Sequence, residues 1–150
     1  MSQITLQDLK QSSITELDQY FSAASLDFIM SGQYRGVFLK RLDRLGARKP
    51  LYYVSFSFEF VPFGIDFDTN KWFFMNSKLQ AGYFQLDVGP SRWRDTTAYR
   101  MHYEESEVPW FVKNKLYDEV KPLSSDLALG IGGVNRDEGG DHFYFALVRQ

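Results

Sequence analysis

Residues 32–39 read Gly32-Gln33-Tyr34-Arg35-Gly36-Val37-Phe38-Leu39, and the hydrophobic period changes there. Before this stretch Leu6, Leu9, Ile14, Leu17, Phe21, Leu26 and Ile29 recur at helical spacing. Ser13 stands three residues ahead of Glu16, as a capping box requires, so a helix is expected over Ile14–Ala23 and a helical turn near 27–30. Gly32 and Gly36 stop helical propagation, and the residues beyond them alternate in the manner of strands.

Alternation is clearest over 51–61. There Tyr52, Val54, Phe56, Phe58 and Phe60 share one face, against Ser55, Ser57 and Glu59 on the other. Pro62, Gly64 and the polar cluster 66–70 break the run, after which 71–76 and 81–87 read as the next strands. A turn at Gly89-Pro90-Ser91 precedes 97–104, and 115–121, Leu127–Val134 and 142–149 complete the set, the last two as a hairpin. About eight short strands with no helix between them predict a mainly β domain, an antiparallel up-and-down barrel or a sandwich behind a helical N-terminal segment (1–31). Closure is the preferred form, because it leaves no aromatic edge strand free. One domain over 1–150 accommodates this length.

Composition narrows the function classes. The chain has no cysteine, which excludes disulfides, thiolate catalysis and cysteine-ligated metal centres and makes a reducing cytoplasm the expected location. Seventeen basic against nineteen acidic residues leave a net charge of −2, too close to neutral for nucleic-acid binding by charge alone. No apolar run is long enough for a transmembrane helix, and the opening residues lack the features of a signal peptide. Aromatic residues make up 17% of the chain, which suits strands whose flat side chains fill a core or line a cavity.

The segment around 32–36 resembles the opening motif of the GXWXG-type bacterial proteins, with Tyr34 where that motif has tryptophan. Leu116-Tyr117-Asp118-Glu119-Val120, Leu129-Gly130-Ile131-Gly132 and 143–149 look like the closing strands of the same family. Calycins such as lipocalins, fatty-acid-binding proteins and nitrobindins also open on a glycine–aromatic motif after a helical turn. The resemblance therefore implies a calycin-like barrel with an interior site. It implies no particular reaction.

With that barrel in view, Tyr34, Phe56, Phe58, Trp72, Phe74 and Tyr83 are the candidate ligand-binding walls, with Arg100 as a polar anchor. The expected function is binding of a small, largely apolar ligand, with no cofactor. A cofactor-free isomerase or cyclase is the alternative: Arg100, His102 and Glu104 share one face of the 97–104 strand, and only if that face points inward do they form a cation, a titratable imidazole and a carboxylate in one cavity. Otherwise Tyr99, Met101 and Tyr103 are the core face. A further alternative is a protein-interaction module built on Arg35, Lys40, Arg41, Arg44, Arg48 and Lys49. The two histidines, His102 and His142, lie far apart in sequence with no metal-ligand spacing, so no metal site is expected. Glycines 130, 132 and 133 open no helix and are expected to relieve crowding in a curved strand rather than to hold a phosphate.

Overall fold

A computed structural model describes residues 2–42, 58–135 and 139–150. Two capped helices come first, α1 (Leu6–Gln11) and α2 (Ile14–Ala23). In each, the hydroxyl of the capping residue, Thr5 or Ser13, accepts from the backbone three residues on, and the acid there, Asp8 or Glu16, accepts from the capping residue's own N–H. The chain over 27–30 has no helical turn, contrary to the spacing of Leu26 and Ile29.

Among the described residues nine antiparallel strands come next: β1 (Gln33–Arg41), β2 (Phe63–Asp66), β3 (Lys71–Phe74), β4 (Gln80–Tyr83), β5 (Gln85–Pro90), β6 (Thr97–His102), β7 (Leu116–Pro122), β8 (Leu127–Val134) and β9 (Asp141–Arg149). A one-turn helix, α3 (Trp110–Lys113), lies between β6 and β7. Apart from β4 and β5, each strand pairs with its neighbours in sequence, and β9 returns to pair with β1. The ring opens between β4 and β5, which are joined through Phe84 alone. The Phe84 N–H bonds the carbonyl of Asn70 at 2.9 Å instead of continuing a ladder. The result is a nearly closed up-and-down barrel of the calycin-like kind, with two of its three described short helices at the N-terminus.

Two sequence readings need correction, and a third falls mostly outside the described residues. The segment 81–87 is two strands, not one, because Phe84 turns its side chain into the core where the chain crosses from one sheet edge to the other. Phe63–Asp66, read as part of a break, is a four-residue strand hidden between Pro62 and the 67–70 turn. Of the 51–61 strand, residues 51–57 lie outside the described residues, and 58–60 form a turn.

Period two sorts the side chains into two cores. Inside the barrel lie Tyr34, Phe63, Ile65, Trp72, Met101, Tyr103, Val120, Phe143, Phe145 and Leu147. On the outside of β8 and β9, Leu129, Ile131, Tyr144 and Ala146 are covered by Leu9, Leu17 and Phe21 of the two helices. Interior crowding explains the glycines of β8. A Cβ on Gly130 would overlap the ring of Phe145, and one on Gly132 would stand 2.6 Å from the ring of Phe143. They make room for rings, as the sequence led one to expect.

Candidate functional site

One end of the barrel interior is left unfilled. A cavity of about 230 Å³ is lined by the rings of Phe58, Trp72, Phe74, Tyr103 and Phe143, by Leu116 and Val134, and by Val108 and Val112 from the α3 segment. Its polar lining is Asp118, Tyr103 and His142. Such a mostly apolar space with a few polar groups is the ordinary make-up of a small-molecule site, at a size just below the roughly 300–1,000 Å³ of sites for drug-sized ligands.

Asp118 arrives there by strand geometry. On β7 Leu116, Asp118 and Val120 face inward, while Tyr117, Glu119 and Lys121 face out. Its ladder neighbour is Gly132, and a Cβ on Gly132 would come within 3.2 Å of the Asp118 carboxylate. The bare glycine thus leaves space for the carboxylate next to the Phe143 ring.

The carboxylate is held by a directed relay. Trp72 Nε1 donates to Tyr103 Oη at 2.6 Å, Tyr103 donates its hydroxyl to Asp118, and the Gly133 N–H reaches the other carboxylate oxygen at 3.3 Å. An indole N–H only donates, so the phenol oxygen accepts there and its own proton is left for Asp118. Burial pushes Asp118 up to about 7, against the pull of the Tyr103 and Gly133 hydrogen bonds. Burial, with the neighbouring Asp118 carboxylate, also raises the Tyr103 hydroxyl well above its ordinary value. His142 is lowered by burial, and its Nε2 is buried with no hydrogen-bond partner among the described residues.

Of the wall residues expected from sequence, Phe58, Trp72 and Phe74 line this cavity. Phe56 lies outside the described residues. Tyr34 is in the interior core but away from the cavity: its ring meets Phe67 edge-on at 5.5 Å, and its hydroxyl accepts from Arg149 at 2.7 Å. Tyr83 is half-buried beside the mouth, its N–H bonded to Glu107 at 3.0 Å.

The inward-facing condition on Arg100, His102 and Glu104 is not met. Tyr99, Met101 and Tyr103 take the interior, and Arg100 and His102 share the outer face with Ala98. There Arg100 makes a two-pronged pair with Asp87 at 2.8 Å, and His102 Nε2 lies 3.2 Å from the same carboxylate. Glu104 is exposed in the turn after β6. Burial of three aromatic and thioether side chains outweighs desolvating a guanidinium and an imidazole, which fixes the face.

Asp118 is the functional candidate that the sequence reading passed over, and a signal for it exists. Two adjacent acids in a strand, Asp118 and Glu119, must put one carboxylate on each face. Glu119 takes the outer one, fully buried beneath the β5–β6 connection, accepting from Ser91 Oγ and the Arg92 N–H at 2.6 Å each and from the Tyr117 hydroxyl at 2.9 Å. Ser91 is thereby a structural residue. In the basic stretch, Lys40 donates to the Ser12 carbonyl at 3.2 Å and Arg41 pairs with Glu59 at 3.1 Å, while Arg44, Arg48 and Lys49 lie outside the described residues. Among the described residues no group of three or more acids and histidines could hold a metal ion, and no helix is long and apolar enough to cross a membrane.

No family model and no curated protein matches this chain. Among solved structures, a protein from Thermomonospora curvata matches with a TM-score of 0.54 over 93% of this chain and 88% of that one, at 16% sequence identity. At that identity the likeness is one of fold.

Proposed function

We propose that the barrel interior binds a small, largely apolar molecule, anchored at one polar point. A single observation carries this reading: a mostly apolar cavity of about 230 Å³ contains one buried carboxylate at the end of a Trp72–Tyr103–Asp118 relay. A core selected for stability alone has little use for that carboxylate, because burying a charge without a cation costs several kcal/mol (about the cost per ion seen in real proteins). The kinship with GXWXG-type proteins is proposed on the same footing. It is supported by Gly36, where a Cβ would overlap the Phe63 ring, and by Tyr34 packed in the core beside it.

The test is native mass spectrometry of the purified protein after incubation with a metabolite extract, compared with an Ala81→Trp variant. Ala81 is an exposed residue on the cavity's rim, so a bulky ring there blocks entry without disturbing the core. A small-molecule adduct on the wild type that the variant loses is the expected result; identical spectra for the two would defeat the reading.

The second reading, a cofactor-free acid–base enzyme, is supported by Asp118 and His142 lining one cavity, where burial raises the carboxyl to about 7 and lowers the imidazole. It predicts that a ligand recovered from the extract exchanges a carbon-bound hydrogen with deuterated water, and that Asp118→Asn stops the exchange. Binding without any exchange leaves the binder.

A further inference from the structure

The polarity of the Asp118 environment allows the ligand to be described more closely. Every hydrogen bond that Asp118 makes among the described residues is one that it accepts, from Tyr103 and from the Gly133 N–H. The direction is forced, since Trp72 can only donate and so turns the Tyr103 proton toward the carboxylate. These oriented dipoles support negative charge at one point, yet no lysine or arginine lines the cavity among the described residues. The titratable groups around Asp118 are Tyr103 from β6, Glu119 on the far face of its own strand, and His142 of β9, which burial holds toward its neutral form. Among the described residues no cation is in place to balance the carboxylate.

Around that acceptor stand aromatic rings. Phe58 lies with its ring centroid 5.7 Å from Trp72 and 5.4 Å from Phe143, and Phe74 is 6.2 Å from Phe58. Ring faces carry partial negative charge and attract organic cations, most strongly where water is excluded. An anionic ligand would meet the Asp118 carboxylate with no counter-charge among the described residues.

We propose that the natural ligand of this cavity is a small organic ammonium compound, its charged nitrogen paired with the Asp118 carboxylate and its hydrocarbon body held among Phe58, Trp72 and Phe143. This rests on the reading of the cavity as a small-ligand site, and it adds the charge of the ligand to that reading. A neutral molecule offering only a carbonyl acceptor is the competing class, since a protonated Asp118 could donate to it.

The experiment is calorimetric titration of the full chain with three probes of similar size: benzylammonium, its neutral isostere ethylbenzene, and the neutral acceptor acetophenone. Benzylammonium is expected to bind the wild type roughly tenfold or more tighter than ethylbenzene, the combined effect of a charge-assisted pair and ring faces. Its affinity rises from about pH 5 to about pH 8, because it selects the carboxylate form. Asp118→Asn is expected to remove the preference while still binding ethylbenzene, which also reports that the variant is folded. Should acetophenone bind best and tighten as the pH falls, the ammonium assignment is overturned and the small-ligand site stands. Ethylbenzene and benzylammonium binding equally would overturn it in the same way. Binding of none of the three would sink both the assignment and the reading beneath it.

Discussion

Tyr103 donates its phenolic proton to Asp118 inside the barrel, and the two residues reach each other across the β6–β7 pairing, where Met101 is the ladder partner of Asp118. The bond joins a ring that composition marks as core to an acid that composition would place at the surface. It also leaves each dependent on the other, since both are almost wholly buried.

Replacing Tyr103 by Phe keeps the ring and removes that bond. It strands Trp72 Nε1 without an acceptor and one Asp118 oxygen without its donor. Two buried polar groups left unpaired are expected to cost about 2–4 kcal/mol together. Urea unfolding checks this, and the double variant with Asp118→Leu should lose less than the sum of the two single changes, because they share one relay.

Gly36 lies on the inward face of β1, where a Cβ would overlap the Phe63 ring. Gly36→Ala is expected to destabilise by about 1–3 kcal/mol through overpacking. Shortening the ring with Phe63→Leu should recover more than half of that loss. An equal cost in both backgrounds would show that the strain lies in the backbone instead.

Outside the barrel, Arg94 ties the β5–β6 connection to α2 and β9. It reaches Asp18 at 2.8 Å, Asp141 at 2.9 Å and the Tyr144 hydroxyl at 3.2 Å. Asp141 and Arg94 are nearly fully buried, so Arg94→Met takes charge-assisted hydrogen bonds from buried acceptors and is expected to cost about 2–3 kcal/mol. Arg94→Lys should rescue little, since an ammonium cannot span three acceptors with the fork geometry of a guanidinium. Faster hydrogen exchange confined to Ile14–Ala23 in these variants would be the signature that α2 has lost its anchor.

Much of this architecture was legible because period two is a strong signal wherever one face is buried. Tyr99, Met101 and Tyr103 against Arg100 and His102 present two faces in the sequence, which left open which of them points inward, and in the structure the apolar face takes the interior. The passage across the ring's gap was not legible: Phe84 continues the alternation from 81 to 87, and only the closure of the sheet shows that the chain changes neighbours there. Strand β2 escaped because four residues containing Gly64 carry too little pattern to outweigh the turn formers around them. The α3 turn is one helical turn with no side-chain cap, so local propensity marks it weakly, although Val108 and Val112 bring it over the cavity. Asp118 was hidden for a different reason. A charge inside a barrel runs against the ordinary partition of residues, and such exceptions are where sites are found.

Asp118 and His142 line one cavity and should respond to acid in opposite senses. Burial raises Asp118 from 3.8 to about 7, so between roughly pH 4 and pH 7 the folded protein keeps a proton that the unfolded chain has released. Its contribution favours folding at the acid end of that window and is lost as the pH rises through about 7. Burial lowers His142 below its ordinary 6.5, so on acidification the unfolded chain takes up a proton that the folded protein resists. That contribution is present above the unfolded value and is lost as the pH falls. Each group can add a slope of at most about 1.4 kcal/mol per pH unit, so below pH 6.5 the two oppose each other and partly cancel. Asp118→Asn removes the first slope, and stability should then fall more steeply than in the wild type on acidification from about pH 7 to pH 5. His142→Gln removes the second, and stability should rise over the same interval relative to wild type. Taking each variant as a difference from wild type cancels the other carboxylates, which both variants retain. Urea midpoints measured across this range decide the matter: curves that diverge in opposite directions are the expected result, and curves parallel to wild type would mean that neither group changes its proton affinity on folding.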